Sequence, residues 1–169
     1  IITFNRTGLI FRNTTDNTLL NENEITDNWT LGVLFMDASS GSNFPEQSAH
    51  NSSLNDNNIS GNWYGQIVDR QTGGSLPAPG TTNTKDFECN WLGTTTPVVS
   101  TNNSIEPGYA AQIPVAYGGA AVPPAVPEPD ILGAASANIE YLLFLVSGTD
   151  DEPLTNGFQP TPLSCTGGC

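Results

Sequence analysis

The chain has 169 residues, 37% of them hydrophobic, and sets 17 acidic side chains against four basic ones, for a net charge of −13. A length of this order suits one domain, and the apolar share is enough for a single core. Four cations, Arg6, Arg12, Arg70 and Lys85, cannot track a phosphate backbone or hold an anionic membrane surface, which excludes nucleic acid and acidic lipid as partners.

Apolar residues come in short runs separated by Asn, Asp, Gly, Ser, Thr and Pro. No window sustains the i, i+3, i+4, i+7 pattern of an amphipathic helix beyond about two turns. The patterning predicts an all-β fold, an immunoglobulin-like or pilin-like β-sandwich with long polar loops and a Pro-rich crossover. Residues 1–12 are expected to form an N-terminal apolar strand and 13–169 a single sandwich domain. In chain order, strands are expected at 1–4, 9–12, 30–36, 63–69, 86–92, 97–100, 109–117 and 138–147. Within 86–92, Phe87, Cys89 and Trp91 alternate with Glu88 and Asn90, the mark of a half-buried strand with its cysteine turned inward. The run from Tyr141 to Val146 reads as a central strand buried on both faces, with a short helix as its competitor. It is the longest apolar run and falls far short of the roughly 20 residues of a membrane span. Residues 37–61 read as a solvated loop. The four prolines of 122–130 cannot serve a ladder and predict an extended crossover. No internal repeat of fixed period is apparent. No basic and then apolar leader precedes Ile1, so the chain reads as mature and processed.

The opening segment is rich in apolar residues. Ile2 and Phe4 share one face, the phase changes at Thr7-Gly8, and Leu9 and Phe11 share the next, as at a bulge or tight bend. Such a segment must be buried. It either pairs with the chain's own sheet or adds to the open edge of a neighbouring subunit, a head-to-tail contact that builds a filament.

Sequons start at Asn5, Asn13, Asn28, Asn51, Asn58 and Asn102. With 18 Asn and 32 Ser plus Thr, chance alone yields about three such triplets. The enrichment predicts N-linked glycans, all but the one at Asn102 falling between Asn5 and Asn58. Cys89, Cys165 and Cys169 are the only thiols. A structural disulfide is expected, either Cys89 to Cys165 or Cys169, closing a long loop, or Cys165 to Cys169, closing a small one, with one thiol left over. Glycans and a disulfide together predict an extracellular or cell-surface location.

Sites of chemistry are scarce. The sole histidine, His50, cannot assemble a histidine metal centre, and no Gly-x-Ser-x-Gly elbow accompanies it. Residues 56–61 follow the first half of a calcium loop, but its twelfth position is Ile67 where a carboxylate is required. The acidic clusters at 21–27 and 150–152 read as solvated turns. No catalytic residue, metal ligand or cofactor other than N-linked glycan is expected, and the chain is not read as an enzyme. Trp29, Trp63, Tyr64 and Trp91 suit a sugar-binding face if exposed; the alternative makes Trp63 and Trp91 core residues of neighbouring strands.

An Asn/Thr/Ser-rich, glycosylated β-domain that opens on an apolar strand resembles the thread-type surface filaments of archaea, whose pilin subunits are joined by donor-strand complementation. The resemblance implies that Ile2, Phe4, Leu9 and Phe11 insert into the adjacent subunit. The chain would then be a structural subunit of an extracellular homopolymer. The alternative is a secreted carbohydrate-binding or adhesive module.

Overall fold

The computed structural model describes residues 1–12, 18–36, 52–63, 65–69, 85–100, 130–132 and 139–161. Among them there is no helix. The strands are β1 (Ile2–Thr3), β2 (Thr7–Arg12), β3 (Leu19–Asn21), β4 (Ile25–Thr26), β5 (Leu31–Met36), β6 (Ser53–Asn55), β7 (Gly65–Asp69), β8 (Lys85–Asp86), β9 (Val99–Ser100), β10 (Ile131–Leu132) and β11 (Ile139–Glu140). They form three sheets, ordered β1-β4, β2-β5-β7-β10-β9 and β11-β8-β6-β3. Every pairing between these strands is parallel.

The all-β expectation therefore stands, while the sandwich expectation is corrected, because immunoglobulin-like sheets pair antiparallel. The described strands stack as rungs of a coil, each rung contributing to more than one sheet. Leu19 pairs with Ser53, Leu31 with Gly65 and Ser53 with Asp86. The same steps separate Asn23 from Asn57, at a sequence spacing of 34, and Asn57 from Asn90, at 33. A repeat exists after all, since Leu20 to Ile25, Leu54 to Ile59 and Phe87 to Leu92 occupy equivalent positions. The first step, which carries Ile2 to Ile25 and Asn5 to Asn28, has a spacing of only 23, and this hides the period in the sequence.

Like residues stack on like inside the coil. Val33 lies against Ile67 and Ile67 against Ile131, all fully buried. Phe11 stacks on Phe35 with ring centroids 4.9 Å apart, and Phe87 meets Phe35 edge-on at 5.8 Å. Each such side chain contributes about 1.5–3 kcal/mol by leaving water. A second cluster, Leu31, Leu34, Val68 and Met36, packs apart from this core.

Two columns of asparagine hold the turns. Glu22, Asp56 and Cys89 have φ of 58°, 57° and 58°, a left-handed conformation that turns the chain sharply at each rung. Each precedes an asparagine. The Asn23 N–H donates to Asn57 Oδ1 and the Asn57 N–H to Asn90 Oδ1, both at 2.9 Å. A second column follows the left-handed residues Phe4, Asp27 and Gly61. There the Asn5 N–H donates to Asn28 Oδ1 at 3.0 Å and the Asn28 N–H to Asn62 Oδ1 at 3.1 Å. The column ends where Asn62 Nδ2 donates to Gln66 Oε1 at 2.9 Å. These amides satisfy turn N–H groups that would otherwise face the interior unpaired. A Cβ on Gly32 would come within 2.6 Å of Asn62 Nδ2 and of Gln66 O, so β5 needs glycine beside this column.

Several expected strands change character. Of 86–92 only Asp86 belongs to a strand, the end of β8, and Cys89 sits in a left-handed turn, not on an inward face. The expected central strand at 138–147 reduces to β11, with Leu142 and Val146 exposed and Leu145 buried. Residues 53–55, expected in a loop, form β6. Expected strand 109–117 and residues 122–129 of the crossover lie outside the described residues. The chain's later part returns to its beginning. Phe158 is fully buried and its N–H donates to Glu22 O at 2.9 Å. No helix among the described residues is long and apolar enough to cross a membrane.

Asn57 tests the columns directly. It is fully buried, accepts from Asn23, and donates to Leu20 O at 3.0 Å and to Asn90 Oδ1 at 3.0 Å. Asn57→Ala is expected to cost about 2–3 kcal/mol, read as a lower midpoint in urea unfolding with an unchanged slope.

Candidate functional site

The inward asparagines decide what lies outside. With Asn28 and Asn62 turned into the coil and the Asn5 N–H bonded to Asn28, the next residues, Arg6, Trp29 and Trp63, follow one another along one outer corner. The Trp29 N–H donates to Asn5 O at 2.8 Å and the Trp63 N–H to Asn28 O at 3.2 Å, so the two tryptophans stand one rung apart, about 4.8 Å along the coil. Trp29 is held further by its Nε1–H, which donates to Phe4 O at 3.0 Å. Neither indole belongs to the core, and both are half-buried. Thr30, next in sequence to Trp29, has its Oγ1 3.0 Å from Thr7 Oγ1. Indole faces bordered by hydroxyls and amides are suited to stacking on the apolar faces of sugar rings.

Trp91 occupies the other corner, after Asn90, in line with Glu24 and Asn58. Gly148 lies flat against it, and a Cβ there would sit 2.6 Å from Trp91 Cδ1. The core reading of Trp63 and Trp91 is thus corrected, since aliphatic and phenylalanine side chains fill the interior and the indoles stay outside it. A sequence signal for this existed: all three tryptophans directly follow an asparagine. Tyr64 lies outside the described residues.

The sequons separate by accessibility. Asn5 is exposed and Asn58 half-buried on the outer corner, with Asn58 Oδ1 accepting from Ser60 Oγ at 2.5 Å. Asn28 is a correction. It is 1% exposed, and its Nδ2 donates to Ile2 O at 3.2 Å and to Asn62 Oδ1 at 2.9 Å, which leaves neither room nor a free amide for a glycan in the folded chain. Asn13, Asn51 and Asn102 lie outside the described residues. Cys89 is disulfide-bonded, and Cys165 and Cys169 also lie outside the described residues.

The expected donor strand is used within the chain. Ile2 pairs with Ile25 and packs on the core, Leu9 pairs with Val33, and Phe11 is buried against Phe35. Phe4 alone of the four is exposed, at 68%, in its left-handed turn. Of the two alternatives for residues 1–12, the structure shows pairing within the chain, where they form the first rung. Within 56–61, Asn57 turns inward and is committed to its column. No group of three or more metal-ligating side chains occurs among the described residues.

An acidic strip runs along the outer side of β6, β8 and β11. Asn55 Nδ2 donates to Asp86 Oδ1 at 3.0 Å, and the Glu88 N–H donates to the same oxygen at 3.0 Å. Partial burial raises the Glu88 pKa, and the neighbouring Asp86 and Glu140 carboxylates raise it further. Asp56 is raised by burial and by Glu22. Comparison with protein-family models, curated proteins and solved structures finds no match for this chain.

The raised Glu88 has a definite sign. The folded chain holds this proton more firmly than the unfolded chain, so the carboxylate opposes folding above its folded-state pKa. That opposition fades as pH falls through this value toward the ordinary 4.5. Glu88→Gln is expected to raise Tm at pH 7, with the gap to the parent closing in acid. Melting curves at the two pH values check it.

Proposed function

We propose that the chain is an extracellular, N-glycosylated β-solenoid module that binds neutral polysaccharide along the Trp29–Trp63 corner. The observation that carries this reading is the outward pairing of the two indoles, one rung apart, by the inward amides of Asn28 and Asn62. An extended glycan laid along the corner meets ring faces in succession and finds hydroxyl and amide partners beside them. The net charge of −13 repels anionic polysaccharides at long range and favours uncharged ones. Exposed Asn5 and half-buried Asn58 are the sequons most open to glycosylation, and the disulfide at Cys89 suits an oxidising compartment.

Titration with β-1,4-linked hexasaccharides of glucose and of N-acetylglucosamine, followed by tryptophan fluorescence, tests the reading. Trp29→Ala and Trp63→Ala are each expected to weaken binding about tenfold, roughly 1.4 kcal/mol, while Trp91→Ala leaves it unchanged. Absence of a response to either sugar from a protein with parent-like circular dichroism overturns it.

A second reading, a subunit of a surface filament, draws on a different observation. Among the described residues, β1 and β2 each pair on one side only, and Ile1, Phe4 and Ile10 are exposed beside them. A filament would then grow by stacking a rung from a second copy onto this free edge. Ile2 N–H donates to Glu24 O, so by strand alternation the Thr3 N–H faces the open side. Thr3→Pro removes that donor and is expected to abolish polymers in electron micrographs if the edge assembles.

A further inference from the structure

Lys85 is the only lysine in the chain, and it is withdrawn from solvent. Its side chain is 1% exposed, that of Asp69 is 0% exposed, and Nζ lies 2.5 Å from Asp69 Oδ2. Asp69 closes β7 and Lys85 opens β8, so the pair meets inside the coil from consecutive strands. Nζ stands over the Phe35 ring at 4.8 Å from its centroid, and that ring contacts Phe11 and Phe87. Three phenylalanine rings thus border the pair.

An ion pair is a poor choice for stability at such a place. Taking both charges out of water costs more than their attraction returns unless the geometry is excellent, and an apolar pair of similar volume usually serves as well. Covalent condensation of the pair removes both buried charges at once. A neutral amine is a nucleophile and a carboxylic acid carbon is its electrophile. Holding the two in contact removes the entropy cost of bringing them together.

We propose that Lys85 and Asp69 condense into an intramolecular isopeptide bond. Lys85 Nζ forms a bond to Asp69 Cγ, and one Cγ–O bond breaks. Of the three ammonium protons, one stays on the amide nitrogen and two leave with the departing oxygen as water. Nothing is oxidised or reduced and no further reactant is required. The product keeps the β7 to β8 connection closed under reducing conditions, where the disulfide at Cys89 opens.

The test is the intact mass of the full chain after enzymatic deglycosylation and reduction. The parent is expected to fall one water, about 18 Da, below the mass of the unbranched chain. Its proteolytic digest should contain a branched fragment joining residues 69 and 85. Lys85→Arg is expected to show the full unbranched mass. Because no other lysine exists, amine-reactive labelling in denaturant gives an independent reading: parent and Lys85→Arg should take up the same number of labels. A parent at full mass, or one that takes up one label more than Lys85→Arg, overturns the proposal and leaves an ordinary buried ion pair. Should Lys85→Arg fail to fold, the parent's mass and digest decide alone.

Discussion

Buried amides are the constraint on which the rest of this structure depends. A coil of parallel strands must turn at every rung, and each turn points backbone N–H groups toward an apolar interior where they have no partner. Asn57 and Asn90 at one corner, and Asn28 and Asn62 at the other, supply that partner to the N–H groups of Asn23, Asn57, Asn5 and Asn28 on the neighbouring rung. The same bonds set the register between rungs, because an amide one residue out of place strands both itself and the N–H above it. Hydrophobic burial drives the chain to collapse, while the amide columns select the parallel stack.

The outer surface inherits this order. A residue that follows an inward asparagine in a left-handed turn faces outward, and so Arg6, Trp29 and Trp63 form one line while Glu24, Asn58 and Trp91 form another. The chemistry on offer at each corner is therefore decided by which residue type follows the asparagine. One corner presents indoles to solvent, whereas the other has its indole covered by Gly148. The acidic strip around Asp86 and Glu88 belongs to a third aspect of the coil, where side chains alternate with the buried Leu54 and Phe87.

Part of this was legible in the sequence. The strands at 30–36 and 63–69 stand close to where alternation and β-branched content put them, and the shortage of helical periodicity agrees with the absence of helix among the described residues. Strand direction was not legible, because the spacing between stacked partners changes from 23 or 24 in the first step to 33 or 34 in the next ones, and the unequal first step blurs the repeat. The asparagines misled in a physical sense. Polar residues at core positions break the apolar alternation that marks a strand, so 52–61 looked like a solvated loop and Asn28 looked like a glycan acceptor. Cys89 misled for the reverse reason: flanked by Phe87 and Trp91 it mimics strand alternation, yet it occupies a left-handed turn.

The seat of Phe158 against Glu22 joins two positions far apart along the chain. During synthesis the first rungs emerge long before that phenylalanine does, so the turn at Glu22 stays uncovered until the stretch carrying Phe158 has been made. Nucleation can begin early among neighbouring rungs, but closure waits for this distant partner. Contacts of such long separation form slowly, and maturation of this coil thus has a built-in delay, in which a late segment seals an early one.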